Sequence, residues 1–302
     1  MCEPTMQDPP SEEPESILRR ALRFREFGEY AAARDVLKKA IQNNPTFAEG
    51  WLALGTIHED LHEVDMAREC YQKAESLKPD WTDPLSRLGQ LEFSLMRYKE
   101  ATLTLKKYLN LDGNDTSILV ILAQSAFHID DCKTVLTATS KIIDIDEGVF
   151  EAWELRGLCH AKMSNLSSAC VALNMALELN PSSTVSLNTV GDLCYKSQNF
   201  SGAVDCYGPS LAKQIEQPEI LFRYGTSLWL LDRWSEAIPV LEKYTALVPH
   251  DPAGWNNLGV ALREKGEVVR AIDCYKKALH IKPDLNEPRN NLETAMNKQV
   301  IL

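Results

Sequence analysis

Glycine stands at residues 55, 89, 157, 191, 225 and 259, in steps of 34 or 68. Ala21 and Ala123 fill the two other rungs, so one 34-residue frame holds only Gly or Ala at this phase. A period of this size means one short supersecondary unit that cannot bury its apolar face alone and must stack on copies of itself. A second ladder runs 12 residues behind the first: Ala33, Ala67, Ala101, Val135, Ala169, Ala203, Ala237 and Ala271. A third lies four further on, at Leu37, Tyr71, Leu105, Thr139, Leu173, Tyr207, Leu241 and Tyr275. Prolines share a fourth phase at 45, 79, 181, 249 and 283, and Trp51, Trp153 and Trp255 share a fifth.

The combination resembles the tetratricopeptide repeat, whose pattern sets Trp, Leu and Gly on a first helix and Ala, an aromatic, Ala and Pro on a second. Trp51, Leu54, Gly55, Ala67, Tyr71, Ala74 and Pro79 match it, as do Trp255, Leu258, Gly259, Ala271, Tyr275, Ala278 and Pro283. The resemblance implies an all-α fold, a right-handed α-solenoid superhelix of eight helix-turn-helix units. Their frames are 14–47, 48–81, 82–115, 116–149, 150–183, 184–217, 218–251 and 252–285, and a capping helix follows at 286–302. The first helices are expected near 51–62, 85–96, 153–164 and 255–266. The small residue on each first helix admits close backbone approach, and the proline after each second helix stops it. Two units depart from the pattern. The fourth holds Ala123, Val135, Thr139 and Glu147 at diagnostic places, and the sixth carries Gly208-Pro209 within its second helix, where a kink or an early helix end is expected.

Charge and composition narrow the function. Asp plus Glu outnumber Lys plus Arg by 43 to 32, a net charge of −11 that repels phosphate backbones and makes nucleic acid a poor ligand. Eight cysteines form no CxxC pair and no zinc-ligand spacing, which reads as free thiols in a reducing compartment. Residues 1–13 hold acids and prolines with no base, and read as a disordered acidic tail rather than a signal peptide. The longest apolar run, Ile118 to Ala123, is too short for a membrane span. The cytoplasm, or the nucleus, is the expected location, with no cofactor.

Catalytic motifs are thin. His58-Glu59-Asp60-Leu61-His62 matches the HExxH of zinc proteases, which needs both histidines on one helix face. The repeat frame instead puts His58 between helices and His62 where the first helix turns, leaving a zinc metalloenzyme using His58, Glu59 and His62 as a remote alternative. Asp144-Ile145-Asp146-Glu147-Gly148 fails as a calcium loop, because Val149 and Leu155 stand where Gly and Glu are required. The co-chaperone members of the family hold a terminal carboxylate with Lys and Asn; the corresponding places here are Leu18, Leu22, Leu52, Thr56, Ser86 and Gln90.

The resemblance also gives a concave groove, faced by the second, fifth, ninth, twelfth and thirteenth residues of each unit. Those places supply Phe93, Phe127, Tyr195 and Trp229, with Phe222 from the fifth place of the seventh unit. Gln90, Gln124, Asn188 and Asn256 share that face and are expected to bond a peptide backbone, while Glu49, Glu59, Asp60 and Asp83 make the early end acidic. The expected function is a non-enzymatic adaptor or scaffold. It would bind an extended segment or helix of a partner protein, basic at the N-terminal end of the groove. The alternative is a structural subunit of a larger assembly that uses its convex face and ends.

Overall fold

The structure, a computed structural model, describes residues 13–111 and 113–301, with side chains described as far as residue 297. Apart from Glu13, the expected acidic tail lies outside the described residues. Among those residues the chain forms seventeen α-helices and no strand. They come as eight pairs, α1 (Pro14–Glu26) with α2 (Tyr30–Asn43), α3 (Ala48–Asp60) with α4 (Val64–Leu77), α5 (Thr82–Ser94) with α6 (Tyr98–Asn110), and α7 (Thr116–His128) with α8 (Cys132–Ile145). There follow α9 (Phe150–Lys162) with α10 (Leu166–Leu179), α11 (Thr184–Lys196) with α12 (Phe200–Lys213), α13 (Pro218–Leu230) with α14 (Trp234–Leu247), and α15 (Pro252–Glu264) with α16 (Val268–Ile281). The last helix, α17 (Asn286–Ile301), has no second helix after it among the described residues. The chain divides into two compact units after Leu155.

The first helices begin at 14, 48, 82, 116, 150, 184, 218 and 252, so the 34-residue frame sets helix starts to the residue. The expected starts at Trp51, Leu85, Trp153 and Trp255 fall three residues too late. Each Trp is the fourth residue of its helix, and its indole N–H donates back across the start to the carbonyl six residues earlier. Trp51 reaches Pro45 O at 3.0 Å, Trp153 reaches Glu147 O at 2.8 Å and Trp255 reaches Pro249 O at 2.8 Å.

The turn inside each pair is one motif written eight times. The backbone N–H of Glu63 donates to His58 O at 2.8 Å and that of His62 to Glu59 O at 2.9 Å, the 6→1 and 5→2 bonds of a Schellman cap. The residue between must be left-handed, and it is: Gly28, His62, Met96, Asp130, Ser164, Gln198, Asp232 and Gly266 all have φ between 58° and 90°. They stand 34 residues apart, yet only the first and last are glycine.

Within each unit, successive pairs share a core. The Ala33-to-Ala271 ladder and the Leu37-to-Tyr275 ladder are fully buried throughout. The Gly208-Pro209 expectation of an early helix end is not met, for α12 runs unbroken from Phe200 to Lys213. Pro209 faces solvent, as does Pro239 inside α14, so water can bond the carbonyl that each proline leaves free. Gly208 has no Cβ to clash with the ring that follows it.

The C-terminal helix packs on α15 and α16. Ala295 is fully buried and Leu292 lies half-buried against Leu262 and its neighbours, whereas Met296 is 50% exposed. Arg289 takes the tryptophan place of the frame and donates to Pro283 O at 2.9 Å, as the tryptophans do at the corresponding bond. Thus α17 begins as a further first helix in register.

Candidate functional site

In the N-terminal unit, α1, α3 and α5 stand side by side and wall a groove of about 680 Å³. Leu18, Leu22, Leu52 and Ala53 give it an apolar floor, and Thr56, Ser86 and Gln90 add hydroxyls and an amide. Tyr108 of α6, with Asp115 and Ile118 at the start of α7, closes one end. The places where a co-chaperone relative would carry its carboxylate-gripping residues therefore do line a groove, with different chemistry.

The acidic end is less free than the sequence suggests. Asp60 accepts from Arg25 Nε at 2.5 Å and Nη2 at 3.2 Å, a bond that raises the guanidinium pKa. Glu49 is bonded to Lys78, which holds its carboxyl below the usual value of 4.5. Glu59 accepts from the Tyr71 hydroxyl; burial and then that bond push the phenol pKa strongly upward. Of the four acids only Asp83 stands exposed without a carboxylate partner bond, one turn from the equally exposed Arg87 on α5. Lys78 and Arg25 therefore offset Glu49 and Asp60, whereas Glu59, bonded to a neutral hydroxyl, and Asp83 have no cation bonded to them.

The predicted aromatics separate into different environments. Phe93 is half-buried edge-on to Tyr98, centroids 5.8 Å apart, and Tyr98 stacks on His128 at 4.1 Å. Phe127 and Gln124 are half-buried on α7. In the C-terminal unit Tyr195 and Phe222 come together with Tyr244 around a pocket of about 380 Å³. Trp229 does not join them: it packs edge-on to Trp234 at 6.4 Å on the margin of the core, and its buried indole N–H has no partner. Asn188 donates to Gln217 Oε1 at 2.6 Å, and its buried Oδ1 has no partner. Asn256 is 3% exposed, and its amide is spent on the terminal helix. It donates to Glu287 Oε1 and accepts from Asn291 Nδ2, both at 3.0 Å. The expectation that Asn256 bonds a peptide backbone meets this filled set.

Tyr108 and Tyr244 escaped the sequence reading. They hold the phase filled elsewhere by Ala40, Ala74, Ile142, Ala176, Ser210 and Ala278, and two aromatic rings in a ladder that is mostly Ala or Ser were the signal. Each large ring is met by a glycine: an added Cβ on Gly254 would lie 2.5 Å from Tyr244 Cε1, and one on Gly113 would also strike Tyr108.

The HExxH residues are dispersed. Helix α3 ends at Asp60, His62 sits exposed in the left-handed turn, and His58 is buried with Nδ1 on Glu63. Among the described residues no group of three His, Cys, Asp or Glu side chains is placed to hold a metal ion, and no helix is long and apolar enough to cross a membrane.

Paired helices in a fixed 34-residue frame, with a groove walled by successive first helices, define a helical-repeat protein. Four models described as tetratricopeptide repeat match residues 14–57, 48–81, 191–252 and 252–285. The chain belongs to the tetratricopeptide repeat family. It is 25% identical over 239 residues to human Protein O-mannosyl-transferase TMTC1, covering 79% of this chain and 24% of that protein. It is 22% identical over 262 residues to the mouse BBSome complex member BBS4, covering 84% and 49%. The chain therefore spans about a quarter and about half the length of these relatives. Among solved structures it resembles YrrB, a TPR protein with an unusual peptide-binding site, with TM-score 0.55 and 19% identity over 61% of this chain and 95% of that one. MamA gives TM-score 0.50 and 21% identity over 54% and 95%. These likenesses are to the fold.

Proposed function

We propose that the chain is a non-enzymatic protein-interaction scaffold that holds an extended segment or helix of a partner against its first helices. The observation that supports this reading is the N-terminal groove, in which an apolar floor lies between half-buried Thr56, Ser86 and Gln90. Such a surface suits a segment that buries aliphatic side chains and bonds its backbone to the groove wall. The lining carries charges of both signs, Arg25 and Arg87 with Glu49, Asp83 and Asp115, so the segment is of mixed charge. YrrB has a peptide-binding site, which is consistent with the same use here. The location proposed is the cytoplasm.

Affinity capture from a lysate tests it. Thr56→Arg and Ser86→Arg each fill the groove without touching the buried ladders, and are expected to lose the partners that the unaltered chain retains. If both variants keep every partner at unchanged yield, the groove is not the binding face. The second reading then takes over, a subunit of a larger assembly. Two observations favour that reading: Phe27 and Met96, 78% and 74% exposed at the turns between paired helices, and the similarity to a BBSome complex member.

A further inference from the structure

We propose that the pocket between Tyr195, Phe222 and Tyr244 receives a cationic side chain, a lysine or its methylated form, from the bound partner. This rests on the interaction-scaffold reading and names the chemistry of one partner side chain.

The walls come from three helices. Tyr195 ends α11, Phe222 lies in α13 and Tyr244 in α14. The Phe222 and Tyr244 rings stand 5.1 Å apart at 48°, so they form two sides of a corner rather than a stack. Tyr244 is a costly residue at this phase, since its ring requires a glycine at 254 inside the neighbouring helix α15. Alanine at that place, as at 40, 74, 176 and 278, would need no such accommodation and would leave the corner with one wall.

Charge decides between an apolar and a cationic occupant. The one cation on the lining is Arg223, and it is already held: its Nη1 lies 2.7 and 2.8 Å from the two oxygens of Asp192. Asp192 is oriented in turn by the Tyr207 hydroxyl, which donates to it at 2.6 Å. Glu219 stands on the rim, its side chain 85% exposed, with Arg223 as its distant ion-pair partner at 3.7 Å. The Tyr244 hydroxyl donates to Asp251 Oδ2 at 2.6 Å. Asp192 thus offsets the one guanidinium, Glu219 is the carboxylate on the lining itself, and Asp251 adds a further negative charge at the hydroxyl end of Tyr244. Ring faces carry negative electrostatic potential, and a cation placed over them is attracted most where water is displaced. The carboxylate excess adds to that attraction and repels an anion.

The test titrates the full chain with N-acetyl-trimethyllysine methylamide and with its neutral tert-butyl isostere, followed by calorimetry and by the aromatic NMR signals of the pocket. The cationic probe is expected to bind about tenfold more tightly than the isostere. Glu219→Gln should narrow that advantage several-fold. Phe222→Leu keeps an apolar side chain in place and should abolish binding with the helical circular dichroism unchanged. Equal binding of the two probes would make the pocket a plain apolar socket and overturn the proposal. No binding of either probe, while Thr56→Arg still releases partners, overturns the pocket assignment and leaves the scaffold reading standing. Binding of the cationic probe alone, with partners retained by both groove variants, supports the pocket and removes the N-terminal groove.

Discussion

Gly259 and Tyr275 share one volume: a Cβ on Gly259 would lie 2.6 Å from Tyr275 Cε1. The same collision is avoided between Gly55 and Tyr71 and between Gly191 and Tyr207. Where the frame has alanine instead, at Ala21 and Ala123, the facing residue is Leu37 or Thr139. Every tyrosine of this ladder is thus matched to a glycine. Gly259→Ala is expected to cost about 1–3 kcal/mol in urea unfolding, as overpacking does. Combining it with Tyr275→Thr, the residue that faces Ala123 in the same frame, should cost less than the two changes summed, because the short side chain leaves the added Cβ its space. Strictly additive losses in the double variant would contradict the coupling.

The buried tyrosines should also set the alkaline limit of stability. Burial pushes Tyr275 up to about 12 from 10.0. Burial, followed by the bonds to Glu59 and Asp192, raises Tyr71 and Tyr207 as well. A folded-state value above the unfolded one contributes stability that is fully present below pH 10 and lost as pH rises through the folded value. Ultraviolet titration of tyrosinate is therefore expected to show a class that ionises late and together with loss of helical circular dichroism. Titration of all nine tyrosines in one step near their ordinary value would refute it.

The left-handed turns carry strain that glycine would relieve. Met96 has φ of 58° and is 74% exposed, so removing its side chain forfeits little packing. A non-glycine residue held there costs roughly 1–2 kcal/mol, partly offset by the greater unfolded-state freedom of glycine. Met96→Gly is expected to raise unfolding free energy by about 0.5–1 kcal/mol, and Gly266→Ala, at φ of 90°, to lower it. Changes of the same sign in both, measured by denaturant unfolding, would show that the turn is not the controlling feature.

Legibility in the sequence followed periodicity. Helix pairs, their spacing and the buried ladders were readable because each is a steric demand repeated in phase, and Gly55 or Tyr71 has one place to go. The left-handed turn was not readable, since backbone hydrogen bonds impose it and six different non-glycine positions comply, Met96, Ser164 and Gln198 among them. The site was half readable. Gln90 lines the N-terminal groove and Tyr195 and Phe222 line the C-terminal pocket, but place on a helix does not reveal partners. Asp60 is neutralised by an arginine 35 residues away, and Asn256 is used by a helix that the repeat pattern treats as an appendage. Trp229 shows the same limit: its edge contact with Trp234 makes it part of the core margin. Trp229→Ala is therefore expected to cost roughly 2 kcal/mol of stability, about half the penalty of a fully buried ring. Normal melting of this variant with loss of partners would return Trp229 to the binding face.

The terminal helix supplies a last prediction. Asn256 holds α17 through Glu287 and Asn291, Arg263 adds a bond to Asn291 Oδ1 at 3.3 Å, and Ala295 and Leu292 cover the apolar end of the core. At the phase where other first helices carry Gly or Ala, α17 carries Glu293, which is exposed. A further helix packed there as α16 packs on Gly259 would have to bury that carboxylate. Truncation after Asp284 should open the Leu292 contact surface, producing light scattering on concentration and faster amide exchange in α15 and α16. Asn256→Ala isolates the polar part of this attachment: it removes the bonds to exposed Glu287 and half-buried Asn291 and should cost about 0.5–1.5 kcal/mol. It should also speed exchange in α17 before any other helix of its unit. A truncated chain that stays monodisperse and melts unchanged would refute the capping role, and an Asn256→Ala variant with unaltered exchange in α17 would show that the apolar contacts alone hold the helix.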